Sequence, residues 1–374
     1  MPADDRGRPP FPLRRVRRSG PSVHALAREL HPRRRRAKCG RRLQLAAQGR
    51  RDRPADDELR HGDLSARERR HARGEPPLRE GAQKGPGRGE EPVIRRLTLV
   101  GLGLLGGSVA KAARAEGLAR EIVAVGRSRE RMAPALEDGV VDRITTDLAE
   151  GLAGAEFCVL ATPVATLASL LAEVWRVAPA DVVLTDVGST KAAIVRVAEA
   201  LGRSRPLAFV GSHPMAGSEK SGYRVARVDL FRGARVIVTP TESTDPGGQK
   251  RVTDFWEAIG ARVTTLDPLT HDRAVAAISH LPHLVADALV DAVVRLDPHY
   301  LDVAGPGFRD TTRIAAGSPE VWREIFHDNR PALGEALGAF RCALDELERV
   351  VASGDPEALE RELDRIKRVR DALA

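Results

Sequence analysis

Short apolar runs alternate with helical patterns along the middle of the chain, from residue 93 to residue 268. Runs that are apolar at nearly every position and separated by helices are typical of parallel strands buried on both faces of a sheet. The pattern therefore predicts a doubly wound α/β domain over residues 93–267. Seven runs carry the strand pattern: LTLVG (97–101), EIVAVG (121–126), EFCVLATP (156–163), DVVLTDVG (181–188), LAFVGSHP (207–214), ARVIVTP (234–240) and ARVTTLDP (261–268).

The strand pattern stops after Pro268, and helical patterns continue to the C-terminus. Residues 269–296 form one long helical pattern, in which Pro282 predicts a kink. The segments SPEV and DPEA each place a capping side chain before a proline, which marks two further helix starts. The leucine and valine stripes of these helices exceed what one small domain can bury. We therefore expect an all-helical domain over residues 268–374 that forms a homodimer.

The first 92 residues have a different composition, dominated by Arg, Pro and Gly without a sustained helical or strand period. Such a segment cannot bury enough apolar surface to offset the entropy lost on ordering. It is predicted to be a disordered basic leader. The alternative is a basic tail that contacts nucleic acid or another acidic surface.

The overall charge of +8 comes from this leader. Residues 1–92 contain 25 Lys and Arg against 13 Asp and Glu, whereas residues 93–374 contain 35 against 39. The remainder is therefore mildly acidic, and no nucleic-acid partner is expected for it.

Cysteine usage and hydropathy bear on the compartment. Cys39, Cys158 and Cys342 form no CxxC pair, which fits a reducing compartment and not a structural zinc site. No uninterrupted apolar run approaches the roughly 18 residues of a membrane helix, and the N-terminus lacks the apolar core of a signal peptide. We expect a cytoplasmic protein without a membrane partner.

Three glycines give the most specific local pattern, G-x-G-x-x-G, between the first strand and a helix of small residues. Gly101 permits a tight turn, Gly103 lets the backbone approach a pyrophosphate, and Gly106 lets the helix pack closely on the strand. The turn predicts a Rossmann-type dinucleotide-binding domain. The expected cofactor contacts are Gly101, Gly103, Leu104, Gly106, Arg127, Ser128 and Thr162.

The end of the second strand bears on the choice between NAD and NADP. A carboxylate at this place binds the ribose hydroxyls of NAD. Here Gly126, Arg127 and Ser128 stand instead. An arginine can pair with the 2′-phosphate, so the sequence favours NADP over NAD. Alternatively, the Arg127 side chain is solvated or stacks on the adenine of either cofactor.

Two polar side chains follow neighbouring strands of the predicted sheet. His213 comes just past the strand in VGSHPMAGSEKSGY (210–223), and Ser189 ends the preceding strand in DVGSTK (186–191). Ligands of open α/β sheets bind outside the carboxyl ends of the strands, so we expect these two side chains to converge.

The helical part contains a second group of candidates. In ISHLPH (278–283), Ser279 and His283 share a helix face. His280 and His283 would be half of a metal site, but no local carboxylate completes it, and no metal is predicted. GPGFRDTTRIAAGSP (305–319) contains Arg309, Asp310 and Arg313, and an arginine fork there would suit a substrate carboxylate. A structural ion pair between Asp310 and Arg313 is compatible with this role.

Five segments together resemble one family. GLGLLGGS, DVGSTK, GSHPMAGSEKSG, HDRAVAAISHLPH and GFRDTTRIA are similar, in order and spacing, to segments of the prephenate/arogenate dehydrogenases of tyrosine biosynthesis. The resemblance covers residues 93–374. It implies a nucleotide-binding domain followed by a helical dimerisation domain. The implied reaction is oxidative decarboxylation of prephenate to 4-hydroxyphenylpyruvate and CO₂, with hydride transfer to NAD(P).

The resemblance also implies roles for individual residues. His213 would take the proton of the ring hydroxyl, and Ser189 would hold that hydroxyl. Arg313 would bind the ring carboxylate, with Asp310 and Glu219 in its ionic network. The pocket around the pyruvyl side chain would be lined by Ser279, His280 and His283.

Three other functions compete with this one. An arogenate or dual-specificity cyclohexadienyl dehydrogenase differs only in substrate, and no residue decides between them. A β-hydroxyacid dehydrogenase relies on a lysine in its helical part, whereas residues 268–366 contain none and Lys367 is the first. A non-catalytic NADP-binding or nucleic-acid-binding protein would not need His213, Ser189 and Arg313.

Overall fold

The computed structural model of the chain describes residues 94–218 and 220–372. These residues belong to one compact unit. The predicted leader and Glu219 lie outside the described residues.

The sheet has eight strands in the order β3-β2-β1-β4-β5-β6-β7-β8. The first six follow the strand order of a Rossmann fold and are parallel, so the predicted doubly wound architecture is confirmed. The strands are β1 (Ile94–Val100), β2 (Ala119–Val125), β3 (Arg143–Thr145), β4 (Phe157–Leu160), β5 (Val183–Asp186), β6 (Ala208–Pro214), β7 (Arg235–Thr239) and β8 (Arg262–Thr265).

The last two strands run against the first six, which the apolar pattern alone did not predict. β7 pairs antiparallel with β6, with His213 opposite Ile237, and β8 is parallel to β7. Parallel neighbours need a crossover helix, but among the described residues of the connection 215–234 the helical structure is limited to a 3₁₀ turn, Tyr223–Val225. The chain therefore turns back directly. His213 consequently lies inside β6 rather than beyond its end.

Helices cover both faces of the sheet, which explains why its strands are apolar throughout. In β4, Phe157 and Val159 join the core on one face, and Cys158 and Leu160 join the core on the other. The helices of this part are α1 (Leu104–Ala115), α2 (Arg129–Glu137), α3 (Leu148–Leu152), α4 (Val164–Val177), α5 (Ala192–Gly202) and α6 (Pro246–Ala258).

From Pro268 to the last described residue the chain is helical, as predicted. The first run joins α7 (Pro268–Val275), a π turn (Ala276–His280) and α8 (Leu281–Leu296). The irregularity expected at Pro282 thus takes the form of a wide turn just before it, because proline cannot donate the regular hydrogen bond. The remaining helices are α9 (Pro306–Thr312), α10 (Pro319–Asp328), α11 (Arg330–Ala352) and α12 (Pro356–Asp371).

The run Pro268–Leu296 is, among the described residues, long and apolar enough to cross a membrane by length and composition alone. This single run is weak evidence for a membrane-spanning helix, because it carries four buried polar side chains: His271, Asp272, His280 and His283. Polar side chains of this kind pack inside protein. Only 17 % of its most apolar window is buried within the chain, which leaves an apolar face for another surface.

Candidate active site

The glycine turn follows β1 beside its neighbour β4, at the switch point where the strand order of the sheet reverses. Gly101 has a φ of +98°, and a Cβ there would lie 2.6 Å from the carbonyl oxygen of Ala161. A Cβ on Gly106 would lie 2.1 Å from the carbonyl oxygen of Gly101. By contrast, a Cβ on Gly103 meets no described atom within 4 Å. The turn thus presents an open backbone surface at the start of α1, which fits a dinucleotide pyrophosphate.

The other residues predicted to contact the cofactor lie at the ends of neighbouring strands and helices. Leu104 begins α1, and Thr162 packs beside Gly101. Arg127 is exposed after β2, whereas the Ser128 hydroxyl caps α2 by accepting the backbone N–H of Arg131 at 3.3 Å. The end of β2 thus carries the guanidinium of Arg127 and no carboxylate of the kind that binds the ribose hydroxyls of NAD.

His213 is the buried histidine of β6, and its ring is held by a second histidine. Its Nδ1 lies 2.9 Å from Nε2 of His271, and Nδ1 of His271 lies 2.8 Å from Oδ1 of Asp272. Asp272 accepts the backbone N–H groups of Lys191 at 2.8 Å and Ala192 at 2.9 Å. His271 and Asp272 open the segment HDRAVAAISHLPH, but nothing in their periodicity marked them as partners of a strand histidine.

Burial controls the charge of His213. Removal from water lowers the pKa of its imidazole well below the usual value, and the nearby His271, Lys191 and His280 lower it further. The ring is therefore neutral at pH 7, the state in which imidazole accepts a proton.

A buried ion pair fixes the loop that carries Ser189. Lys191 Nζ contacts the carboxylate of Asp186, and both side chains are fully buried. The Asp186 carboxylate also accepts the N–H of Gly188 at 2.9 Å and the N–H of Ser212 at 3.2 Å. Ser189 lies half-buried in this loop, and Ser212 precedes His213 in β6. One carboxylate thus ties together the two segments predicted to converge.

His280 has a structural role, because its ring accepts a hydrogen bond from Asn329. The Nδ2 of Asn329 lies 3.1 Å from Nδ1 of His280 and also donates to the carbonyl oxygen of Asp272 at 2.7 Å. Burial lowers the pKa of His280 to about 4, although Asp272 opposes this shift. His280 thus acts as a neutral acceptor that joins the π turn to Asn329, at the start of α11.

His283 is stacked on Trp322, with ring centroids 3.6 Å apart. Its Nδ1 is buried and has no hydrogen-bond partner within the described ranges. Burial lowers the pKa of His283, against the opposing effect of Asp287. A buried ring nitrogen without a partner is rare and points to a ligand or a bound water. Ser279 lies half-buried one turn earlier.

The remaining predicted substrate residues are more exposed. Arg313 and Asp310 are both exposed in the single chain, and Arg313 begins the short turn Arg313–Ala316. That turn leads to Gly317, which packs against His283 and Trp322. Within the described part of the chain, no group of three metal-binding side chains occurs.

A dinucleotide turn at a sheet switch point and a buried neutral imidazole on a strand of the same sheet define a nicotinamide-dependent dehydrogenase. Matches to family profiles identify which dehydrogenase family the chain resembles. The profile "Prephenate dehydrogenase, nucleotide-binding domain" matches residues 109–265, and "Prephenate dehydrogenase, dimerization domain" matches residues 267–365. The chain belongs to the prephenate dehydrogenase family.

Individual relatives agree with the profiles. Prephenate dehydrogenase of Bacillus subtilis is 35% identical over 281 residues, which cover 74% of this chain and 76% of the relative. The crystal structure of prephenate dehydrogenase from A. aeolicus with hydroxyphenyl propionate and NAD+ is 34% identical, with a TM-score of 0.71, over 75% of this chain and 98% of that one. The crystal structure of Synechocystis arogenate dehydrogenase is 32% identical, with a TM-score of 0.66, over 75% of this chain and 100% of that one.

The match to the dimerization domain explains the apolar surface of the helical part. The chain forms a homodimer through this domain, as its leucine and valine stripes predicted. Large apolar side chains exposed on the helical part of the single chain include Ile278, Leu296, Tyr300, Val303, Val321, Leu344 and Val351.

Proposed function

We propose that this chain oxidises prephenate to 4-hydroxyphenylpyruvate and CO₂ and passes a hydride to NAD(P). Membership of the family supports this function. The observation that carries it is the neutral, buried ring of His213, whose Nδ1 is held by His271 at 2.9 Å so that Nε2 is left for a substrate.

His213 acts as the base in this proposal. Its Nε2 takes the proton of the ring hydroxyl while Ser189 orients that hydroxyl, and the C–H electrons of the same carbon leave as hydride. The bound dinucleotide supplies the hydride acceptor. The carbon becomes a carbonyl, and cleavage of the bond to the ring carboxylate then sends its electrons into the ring, so that CO₂ leaves and a phenolate forms. The gain of an aromatic ring drives this last step. The phenolate takes a proton back from His213 and becomes the phenol, which restores the neutral base.

Arg313 binds the departing carboxylate in our proposal, with Asp310 and Glu219 in its ionic network. His283, His280 and Ser279 line the pocket for the pyruvyl side chain. The unpartnered Nδ1 of His283 supports this assignment, whereas His280 contributes mainly by holding Asn329.

Replacement of Arg313 tests the assignment. Arg313→Ala should raise KM for prephenate at least about tenfold, because a charge-assisted bond to a carboxylate is lost, while kcat changes less. Arg309→Ala is the control, since the Arg309 side chain donates to the carbonyl oxygen of Ala304. An equal KM for prephenate in the two variants, measured by steady-state kinetics, would contradict the role of Arg313.

For the cofactor we propose NADP over NAD, because Gly126 removes the carboxylate and the exposed Arg127 offers a cation. Arg127→Ala should lower kcat/KM for NADP by about tenfold or more and leave the value for NAD nearly unchanged. Arg131→Ala, in the helix α2 that follows Arg127, should change neither value. Equal losses with both cofactors would rule out recognition of the 2′-phosphate.

The second candidate substrate is arogenate, favoured by the likeness to the Synechocystis enzyme. A steady-state assay that crosses prephenate and arogenate with NAD and NADP decides both choices. We expect the highest kcat/KM with prephenate and NADP. Turnover of arogenate alone would overturn the proposed substrate.

We also propose that the domains span residues 93–267 and 268–374, with the chain in the cytoplasm. The exposed free thiol of Cys342 fits a reducing compartment.

A further inference from the structure

We propose that His271 and Asp272 act as positioning residues, forming a relay that keeps His213 in the single tautomer able to accept the substrate proton. The relay deepens the proposed function and rests on it. His271 contacts His213, and Asp272 contacts His271, so both act through His213 rather than on the substrate.

The proton positions follow from what each group can do. An ionised carboxylate only accepts hydrogen bonds, so Nδ1 of His271 carries the proton that Asp272 receives at 2.8 Å. In a neutral His271 the other nitrogen, Nε2, is then an acceptor. Nδ1 of His213, 2.9 Å away, must therefore be the donor. A neutral His213 with its proton on Nδ1 has a free lone pair on Nε2, as a base requires.

The carboxylate that starts this chain is itself fixed in place. Its Oδ1 accepts the N–H of Lys191 and its Oδ2 accepts the N–H of Ala192, both at the start of α5. Asn329 holds the backbone carbonyl of the same residue. Asp272 thus has the role of the orienting carboxylate in a nucleophile–base–acid triad, with one extra imidazole inserted.

The charges around His213 make such a relay necessary. The ammonium of Lys191 and the rings of His271 and His280 all disfavour a positive charge on His213. Two carboxylates pair with members of this group: Asp186 with Lys191, and Asp272 with His271. When His213 receives the substrate proton, Asp272 stabilises the resulting cation across His271. Loss of the relay should therefore slow the proton-transfer step rather than weaken binding.

Two substitutions of His271 separate this role from packing. His271→Leu removes the acceptor for Nδ1 of His213, and kcat should fall on the order of 10²- to 10⁴-fold, as in triads that lose their orienting group. The Kd for NADP and the KM for prephenate should change less than about threefold. His271→Gln keeps an acceptor oxygen, so its kcat should be at least about tenfold higher than that of His271→Leu. Equal kcat for the two variants would overturn the relay.

The tautomer of His213 can also be measured directly in the wild-type protein, without reference to kcat. In ¹⁵N-histidine-labelled protein, long-range ¹H–¹⁵N correlation should show His213, assigned with His213→Asn, in the Nδ1–H form. In His271→Leu, with native circular dichroism, the Nε2–H form should appear. A wild-type enzyme that oxidises prephenate with His213 in the Nε2–H form would contradict the relay but leave the proposed function intact. Failure to oxidise prephenate, with the Nδ1–H form present, would contradict only the function.

Discussion

The three glycines of the dinucleotide turn are required for different reasons, and the structure separates them. Gly101 and Gly106 have no room for a side chain because protein backbone fills the space. Gly103 has room within the described residues, so the protein itself does not require a glycine there. The prediction that the backbone of Gly103 lies close to the pyrophosphate of the cofactor would account for a glycine at this position.

Alanine substitutions at Gly106 and Gly103 should therefore affect different properties: thermal stability at the first and dinucleotide binding at the second. Gly106→Ala should lower Tm, because its Cβ would lie 2.1 Å from a carbonyl oxygen. Gly103→Ala should leave Tm unchanged and weaken dinucleotide binding by at least about tenfold, because a methyl group blocks the close approach of the pyrophosphate. Thermal unfolding and dinucleotide titration measure the two effects. Unchanged binding in Gly103→Ala would contradict the assigned position of the cofactor.

The environment of His213 also sets how activity depends on pH. Its pKa is lowered, so the neutral base should persist as the pH falls below the ordinary histidine value of about 6.5. We expect kcat/KM to remain on its plateau at pH 6.5 and to fall only at lower pH. The charged and titratable groups around the ring are His271, Lys191, His280, Asp186 and Asp272. An acid limb centred above pH 6.5 would contradict a buried neutral base.

The sequence singled out His213 because it follows an apolar strand and precedes a glycine-rich loop. His271 could not be found in the same way, since its partner is 58 residues away and no local period links them. His283 was found by its spacing, but its unpartnered nitrogen depends on packing against Trp322. Motifs thus single out candidate groups for this site, and only the fold determines which ring nitrogens have a hydrogen-bond partner.

The segments that carry these groups are joined by buried charge. Asp186 ends β5, and its pair with Lys191 holds the loop before α5 against β6. Removal of one partner of such a pair leaves the other buried without compensation.

Asp186→Asn should consequently lower the free energy of unfolding by about 3–5 kcal/mol. The matched control is Asp254→Asn, because the ion pair of Asp254 with Lys250 is exposed to solvent. That variant should change stability little. Urea titration followed by circular dichroism measures both. Similar stabilities for the two variants would contradict the structural role of the buried pair.

Most strands were predictable from the sequence, and the exceptions have physical causes. β3 has three residues at the edge of the sheet, too few to form a recognisable apolar run. The reversed direction of β7 has a local signal, the lack of a helical pattern between residues 214 and 235, but strand composition alone does not encode direction. The π turn Ala276–His280 lies just before Pro282, and only the proline is visible in the sequence.

The whole molecule is a homodimer whose helical part exposes apolar side chains in the single chain. Leu296 is 77 % exposed and Val303 is 84 % exposed, which is unusual for residues of a folded helical domain that has no partner. Burial of such residues in the dimer would also account for the membrane-like composition of the helix that ends at Leu296.

Carboxylates at these two positions should break the dimer. Light scattering of the wild-type protein should give twice the 40.4 kDa of one chain. Leu296→Asp combined with Val303→Asp should shift the mass toward one chain, because charges are then buried in an apolar interface. Val228→Asp, in the sheet domain, should leave the dimer intact. An unchanged dimer in the double variant would place the interface elsewhere.

Proton transfer to His213 is tested most directly by single-turnover hydride transfer, followed through the absorbance of the reduced nicotinamide. In His213→Asn the rate constant should fall on the order of 10²- to 10⁴-fold while the Kd for NADP stays within about twofold of wild type. His327→Asn, an exposed histidine on α10, should transfer hydride at the wild-type rate. A wild-type rate in His213→Asn, or a loss explained entirely by weaker dinucleotide binding, would contradict the role of His213 as the base.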